Sequence, residues 1–179
     1  GLKHCRGEYI AIFDADFRPQ TNFLINTLPF LIGNPDLACL QCSWDFSNQN
    51  QSLLTTIQSC MLRSHLFIQH QYRKKNMLMI NFNGTAGVWR KSAIIDSDSW
   101  HYDTLTEDLD LSFRAQLKAW KIDYFPSEIV PSELPADYFA FRSQQYRWAK
   151  GAGQCLRKLW FEIIKSKNLK LRSKFEGLL

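Results

Sequence analysis

The sequence lacks several features that define specialised classes of protein. No stretch reaches the ~20 apolar residues that a membrane-spanning helix needs, because Pro, Gly, Asn and Gln interrupt the longest uncharged stretches, 19–35 and 46–62. Residues 1–8 have no apolar run of the kind found in secretory signals. The 8 Gly and 6 Pro among 179 residues exclude collagen-like and disordered classes. We expect one domain with its own core.

The cysteines form no paired pattern, and other chemical signatures are missing. The five cysteines are odd in number and irregularly spaced, which predicts reduced thiols in a cytosolic setting. Cys39 and Cys42 have CxxC spacing without a second pair, so we expect both to be core residues of a strand. The loop 83–87 lacks the P-loop pattern, and no histidine cluster or nucleophile signature is visible.

Positive charge is concentrated late in the chain. The formal net charge is +5, yet residues 1–139 hold 12 basic and 15 acidic side chains, whereas residues 140–179 hold 10 basic and 2 acidic ones. The segment 161–179 is basic and amphipathic, and we predict that it lies on a cytosolic membrane surface, where anionic lipids attract Lys and Arg. A polyanion-binding module is the alternative, although the tail has few interleaved aromatic residues and we expect no nucleic-acid partner.

Short apolar runs alternate with segments of helical period, which predicts an α/β sheet with crossover connections. Pro126 should end the last strand, and Gly151–Gly153 should divide the last helix. The predicted strands are 8–13, 37–44, 77–82 and 121–125; the predicted helices begin at Thr21 or Asn22, cover 52–75, begin at Thr104 or Thr106, and cover 136–160.

Two carboxylates follow the first predicted strand. Asp14 and Asp16 are two residues apart, so both should point to one face and converge on one cation. Their oxygen ligands favour Mg²⁺ or Mn²⁺, which take phosphate oxygens as further ligands. A solvated turn is the alternative interpretation, and a Mg²⁺-dependent phosphohydrolase could use the same carboxylates.

A third acidic group lies at the start of a predicted helix. In Thr106-Glu107-Asp108, a hydroxyl cap and two acids make a good helix N-terminus, and one carboxylate could also act as a general base. Asp103 and Asp110 are nearby candidates for the same role.

Gln144, Arg147 and Trp148 share a helix face, because they are spaced i, i+3 and i+4. A guanidinium binds phosphate oxygens and an indole offers a flat apolar face, so this face suits a ligand with an anionic end and a ring. The alternative is a core helix with Trp148 packed and Arg147 extended to solvent.

Five motifs occur together in a specific order. They are Phe13-Asp-Ala-Asp-Phe17, Phe82-Asn-Gly-Thr-Ala-Gly-Val-Trp-Arg90, Thr106-Glu-Asp108, Ser132-Glu-Leu-Pro135 and Gln144-x-x-Arg147-Trp148. In that order they resemble the processive family-2 glycosyltransferases, in particular the cellulose-synthase-like branch with its glucomannan (mannan) synthases and xyloglucan-backbone glucan synthases. The resemblance covers roughly residues 1–165.

The resemblance implies a fold and a setting. The fold would be the Rossmann-like GT-A type, a mostly parallel sheet flanked by helices, without the family's first βα unit. Residues 1–160 would form a partial catalytic domain, and 161–179 would be a membrane-interface helix. The parent protein would be integral to a bacterial inner, Golgi or plasma membrane, with this piece peripheral on the cytosolic face.

The resemblance also implies an inverting hexosyltransferase that is metal-dependent. It would move a sugar from a UDP-glucose or GDP-mannose type of donor to a growing β-linked polysaccharide. Asp14 and Asp16 would hold Mg²⁺ or Mn²⁺ and the donor diphosphate, and Gln144 and Arg147 would contact the nucleotide sugar.

On the acceptor side, the resemblance makes Asp108 the general base for the acceptor hydroxyl. Trp148 would stack under the acceptor sugar, and Asn83 and Gly84 would line the acceptor site.

Overall fold

The structure, a computed structural model, describes residues 2–178 and contains a four-stranded mixed sheet in the order β1-β3-β2-β4. Strand β3 is antiparallel to both β1 and β2, and β4 is parallel to β2, so three of the four strands run in one direction. The predicted α/β class is confirmed. The strands are β1 (Tyr9–Ile12), β2 (Leu37–Phe46), β3 (Gly87–Arg90) and β4 (Lys121–Ser132).

Seven α-helices are described, and none within residues 2–178 is long and apolar enough to cross a membrane. The predicted helix 52–75 is observed as α2, a π-helical segment and α3 in direct succession. The helices are α1 (Phe23–Gly33), α2 (Leu53–Arg63), α3 (His70–Lys75), α4 (Lys91–Asp96), α5 (Glu107–Leu117), α6 (Tyr138–Lys165) and α7 (Leu171–Leu178); the π-helical segment is Ser64–Gln69, and a 3₁₀ turn covers Leu2–His4.

The predicted strand 77–82 is wrong. Leu78, Met79, Ile80 and Phe82 are buried whereas Met77 is exposed. The backbone of Ile80 and Phe82 pairs with side chains of α5 instead of with a strand. Gln116 accepts from the backbone N–H of Ile80 and donates to its carbonyl, both at 2.9 Å. Ser112 Oγ accepts from the N–H of Phe82 at 2.9 Å. The third strand is therefore β3, which follows the loop 83–86.

The last strand does not end at Pro126. Phe125 pairs with Cys42 and Ile129 pairs with Ser43, so the residues between them form a bulge and pairing resumes up to Ser132. A proline is tolerated here because β4 is at the edge of the sheet and the proline lies in a bulge, where no ladder N–H is needed.

Helix α6 is continuous through Gly151 and Gly153, so the predicted division is wrong. A Cβ atom on Gly151 would lie 2.5 Å from Cγ2 of Thr106. This glycine therefore allows α6 to approach the start of α5 closely. The helix also runs past the predicted domain boundary at residue 160, to Lys165.

The core occupies both faces of the sheet. Cys42 packs in one apolar cluster and Cys39 in the cluster on the opposite face, because residues three apart on a strand point to opposite sides. Both are fully buried, and burial raises the pKa of both thiols. The prediction that they are core residues of a strand is confirmed. A third cluster, between α5 and α6, consists of Met79, Phe113, Leu159 and Ile163.

Candidate active site

A cleft of about 400 Å³ is lined by all the binding and catalytic residues that the five motifs single out. The turn after β1, the loop before β3, the end of β4 and the N-terminus of α5 form its walls, together with α6. In open α/β sheets, ligands collect beyond the carboxyl ends of the strands, as here. The predicted residues that line the cleft are Asp14, Asp16, Asn83, Gly84, Asp108, Gln144, Arg147 and Trp148.

Asp14 and Asp16 lie in a turn after β1, not on a continued strand. The turn is closed by the backbone N–H of Phe17, which donates to the Asp14 carbonyl at 3.0 Å. The Asp14 N–H donates to Thr85 Oγ1 at 2.9 Å, and the Ser132 hydroxyl donates to Asp16 Oδ2 at 2.6 Å. The two carboxylates reach one cleft because these side chains anchor the turn.

Negative charge accumulates around Asp14. Partial burial raises the pKa of Asp14, the carboxylates of Asp16 and Glu107 raise it further, and Arg147 lowers it. In proteins, Mg²⁺ and Mn²⁺ bind to hard oxygen ligands, in particular to negatively charged carboxylates. The residues present therefore fit a divalent cation held by Asp14 and Asp16.

Asp108 is the most perturbed carboxyl of the cleft. Its environment desolvates the charged form, and this, with smaller contributions from Glu107 and Asp14, raises its pKa to about 6 against the opposing backbone hydrogen bonds. A general base is most effective when its pKa lies near the working pH. Asp108 therefore has the electrostatic character of a general base.

The interpretation of Thr106 as a capping hydroxyl is wrong. Thr106 precedes α5, but its side chain makes no capping hydrogen bond, and its hydroxyl lies 3.4 Å from Cys155 Sγ on α6. The first turn of α5 still carries three acids, Glu107, Asp108 and Asp110, which complement the helix dipole.

The two alternative carboxylates, Asp103 and Asp110, lie outside the cleft. Lys158 Nζ is 2.8 Å from Asp103 Oδ1 and 2.9 Å from Asp110 Oδ1, and it is 3.0 Å from His101 Nδ1. Arg114 Nε donates to Asp110 Oδ2 at 2.8 Å. His101, Asp103 and Asp110 place potential metal-ligating atoms within 4.8 Å of one another, and these atoms surround the ammonium of Lys158.

Gln144, Arg147 and Trp148 all line the cleft, so the prediction of a shared helix face is confirmed. The alternative of a core position is wrong for them, because the core face of α6 consists of Gly151, Cys155, Leu159 and Ile163.

Glu107, the other acid of the Thr106-Glu107-Asp108 motif, lines the cleft and raises the pKa of both Asp14 and Asp108. One residue that supports the site was missed. The Nδ2 atom of Asn83 lies 3.1 Å from Nε2 of the fully buried His70, whose pKa burial lowers to about 3. The Ser132–Pro135 motif was a usable signal for the cleft wall, whereas no local pattern indicated His70.

Comparison with known proteins identifies the family. A profile described as "Glycosyl transferase family group 2" matches residues 9–175. The chain is 45% identical over 174 residues to glucomannan 4-beta-mannosyltransferase 7 of Arabidopsis thaliana, covering 97% of this chain and 31% of the relative. It is 43% identical over 173 residues to the probable glucomannan 4-beta-mannosyltransferase 7 of Oryza sativa subsp. japonica, covering 97% and 29%. The chain spans about a third of the length of these curated relatives.

Solved structures resemble the fold. The mannosyltransferase PcManGT of Pyrobaculum calidifontis, in complex with GDP-Man and Mn²⁺, matches with a TM-score of 0.65 at 16% identity, over 87% of this chain and 41% of that one. TarS of S. aureus matches with a TM-score of 0.57 at 14% identity, over 99% and 28%. At these identities the likeness supports the fold alone, which is GT-A. The chain belongs to the family-2 glycosyltransferases.

Proposed function

We propose that the cleft is the catalytic centre of an inverting hexosyltransferase that extends a β-linked polysaccharide from a nucleotide-diphosphate sugar. The observation that carries this proposal is the position of Asp108, a carboxyl with a pKa of about 6 that shares one cleft with Asp14, Asp16 and Arg147. The mannosyltransferase names of the relatives, and the GDP-Man in the complex of PcManGT, favour GDP-mannose over UDP-glucose as donor.

The chemistry follows from the charges of the site. Asp108, ionised above a pH of about 6, takes the proton from an acceptor hydroxyl. The resulting oxygen attacks the anomeric carbon from the face opposite the diphosphate, and the bond to the diphosphate breaks. One displacement inverts the configuration, so an α-linked donor gives a β-linked product without a covalent enzyme intermediate.

The donor side must balance the charge of the diphosphate. Asp14 and Asp16 would hold Mg²⁺ or Mn²⁺, which supplies positive charge to the departing diphosphate when it is bound. The guanidinium of Arg147 lies near enough to Asp14 to lower its pKa, so it can donate to the same phosphate oxygens. Gln144 lines the same wall and offers an amide to the donor.

The acceptor side consists of Trp148, Asn83 and Gly84. Trp148 offers a flat apolar face on which a sugar ring can stack. Asn83 lies in the loop before β3, where its backbone N–H donates to Gln41 Oε1 at 2.8 Å, and it is therefore fixed at both backbone and side chain.

We also propose that the tail 161–179 lies on the cytosolic face of a membrane. Phe161, Leu171 and Phe175 are exposed beside the lysines of this segment, which is the composition of an interfacial helix. Sedimentation with anionic phospholipid vesicles tests it: Phe161→Ser with Phe175→Ser should lower binding, and binding unchanged by that double substitution contradicts it.

Sugar transfer tests the proposed activity. Membranes containing the protein encoded by the complete reading frame are incubated with labelled GDP-mannose or UDP-glucose, and label in β-linked polymer is measured. Chelation should stop incorporation, Mn²⁺ or Mg²⁺ should restore it, and Asp14→Asn or Asp16→Asn should lower it at least about 100-fold.

Asp36→Asn is the matched control, because Asp36 lies outside the cleft and pairs with Lys121. Wild-type transfer by the Asp14 and Asp16 variants would contradict the metal assignment. Release of phosphate from simple esters without sugar transfer would instead indicate a phosphohydrolase.

A further inference from the structure

Lys158 connects helix α6 to the segment that leads into the proposed base. Its ammonium donates hydrogen bonds to Oδ1 of Asp103 at 2.8 Å and to Nδ1 of His101 at 3.0 Å. It also forms an ion pair with Asp110, whose Oδ1 lies 2.9 Å away. We call His101, Asp103, Asp110 and Lys158 the Lys158 cluster. The cluster lies outside the catalytic cleft.

The imidazole of His101 has the tautomer that this arrangement needs. Its Nε2 lies 3.1 Å from the carbonyl oxygen of Asp98, which can only accept, so we assign the ring proton to Nε2. Nδ1 is then left as an acceptor for Lys158, whose ammonium can only donate. The hydrogen bonds around the ammonium are therefore matched in donor and acceptor.

Helix α6 holds the segment 101–106 at further points beside the cluster. The backbone N–H of Leu105 donates to Oε1 of Gln154 at 2.9 Å, and the hydroxyl of Thr106 lies 3.4 Å from Sγ of Cys155. The residues of α6 that contact this segment have the spacing i, i+3, i+4 and i+7 of one helix face; they are Gly151, Gln154, Cys155 and Lys158.

The same helix carries residues of the catalytic cleft. Trp148 and Arg147 lie ten and eleven residues before Lys158, which is about three helical turns or roughly 15 Å along the axis. Helix α6 is continuous over this length. It therefore connects the residues proposed for the acceptor and the diphosphate to the Lys158 cluster through one rigid element.

The cluster reaches the proposed base through Asp110. Asp110 is fully buried in the first turn of α5, two residues after Asp108. Its Oδ2 accepts from Nε of Arg114 at 2.8 Å, and the same guanidinium donates to the carbonyl of Ser99 at 2.9 Å. Oδ1 of Asp110 accepts no hydrogen bond within residues 2–178, so the charge of Lys158 compensates it. Loss of that charge would leave Asp110 undercompensated beside Asp108.

Stability alone does not require a charged side chain at position 158. A buried ion pair gains little over apolar side chains of similar volume, because the cost of desolvation offsets the attraction. Leu159 and Ile163 already pack α6 against Phe113 of α5 through apolar contacts. A charged network can instead specify a single arrangement of the groups that it joins.

We propose that Lys158 is a positioning residue of the transferase. Its ammonium fixes the segment 101–106 and the first turn of α5 against α6, and this sets the position of Asp108 relative to Arg147 and Trp148. The inference rests on the proposed function, because it concerns the geometry of the same site. Lys158 itself touches neither substrate.

Steady-state kinetics of the protein from the complete reading frame test this role. Lys158→Met removes the charge and keeps a long side chain. We expect kcat to fall at least about tenfold, because the base is displaced from its working position. KM for the nucleotide-sugar donor should stay as in wild type, because Asp14 and Asp16 are untouched. Lys158→Arg keeps the charge and should recover most of the lost rate.

Arg157→Met is the matched control, because it removes a positive charge from the neighbouring, exposed position of α6. It should behave as wild type. Thermal unfolding shows whether each variant is folded. If Lys158→Met is not, Asp103→Asn takes its place, because this carboxylate is 56% exposed and its change removes one partner of Lys158. Again kcat should fall while KM for the donor stays the same.

Wild-type kcat in Lys158→Met, or equal losses in Lys158→Met and Lys158→Arg, would overturn the inference. A donor KM that rises by the factor by which kcat falls would overturn it too. If wild type transfers no sugar, the proposed function has failed, and hydrogen exchange tests the positioning role separately. The backbone amides of residues 101–110 should then exchange at least about tenfold faster in Lys158→Met than in Arg157→Met. Equal exchange in the two variants overturns the inference.

Discussion

Gly84 lies close to Asp108 in the cleft: a Cβ atom on Gly84 would lie 3.0 Å from Oδ2 of Asp108. Gly84 also has a φ of +81°, in the left-handed region that side chains disfavour. The loop before β3 thus approaches the proposed base so closely that only a glycine leaves its carboxylate in place.

Gly84→Ala should therefore reduce transfer more than it reduces stability. We expect the free energy of unfolding to fall by about 1–2 kcal/mol from the left-handed backbone, and kcat to fall at least about tenfold because the carboxylate of Asp108 must move. Urea unfolding and steady-state kinetics measure the two effects. A variant with wild-type kcat would show that this close approach has no part in catalysis.

Replacing each of the two glycines of α6 by alanine should change the stability of the protein in opposite directions. A Cβ on Gly151 would lie 2.5 Å from Thr106, whereas nothing lies within 4 Å of one on Gly153. Gly151→Ala should destabilise the protein by about 1–3 kcal/mol, and Gly153→Ala should stabilise it by up to about 1 kcal/mol. Urea unfolding measures both. Equal effects would contradict the close approach of α6 to α5.

The transfer rate should depend on the protonation of Asp108. Because its pKa is about 6, the fraction in the basic form rises with pH through that value. We expect kcat to increase about tenfold per pH unit below this pKa and to level off above it. A profile measured from about pH 4.5 to 8 checks this, and a flat profile across that range would contradict the assignment.

Stability should change with pH in the opposite direction. The pKa of Asp108 is about 6 in the folded protein and 3.8 in the unfolded chain, so the folded state binds the proton more tightly. The free energy of unfolding therefore falls as pH rises from about 4 to 6 and stays lower above. Asp108→Asn should raise it by about 1–3 kcal/mol at neutral pH and change it little near pH 4.

Asp36→Asn should change the free energy of unfolding at neutral pH in the opposite direction to Asp108→Asn. A hydrogen bond from Lys121 lowers the pKa of Asp36, so this variant should lose stability at neutral pH and not at low pH. Urea unfolding at both pH values compares the two variants. If Asp108→Asn lowers the free energy of unfolding at neutral pH, burial is not the main influence on the pKa of Asp108.

The residues of the cleft could be predicted because their chemistry is local. The spacing of Gln144, Arg147 and Trp148 puts them on one face of any helix, whatever surrounds it. The order of the five motifs was enough to bring Asp14 and Asp108 together without a tertiary structure. His70 could not be predicted, since only folding brings its ring to Asn83, thirteen residues along the chain.

The features of the fold that were predicted wrongly have a common origin in tertiary contacts. Residues 77–82 have the composition of a strand, but Gln116 and Ser112 take up the backbone groups that a neighbouring strand would pair. Glycine has a low helix propensity, so Gly151 suggested the end of a helix. It lies inside α6 instead, because the close packing against Thr106 leaves no room for a side chain. In both cases a side chain distant in sequence decides the outcome.

The most direct test of the proposed mechanism is the Asp108→Asn variant, assayed for donor binding and for transfer in the protein from the complete reading frame. We predict that GDP-mannose binds with wild-type affinity, because Asp14, Asp16 and Arg147 are intact, while transfer to the acceptor falls at least about 100-fold. Unchanged transfer with Asp108→Asn would contradict the central claim that this carboxylate is the base.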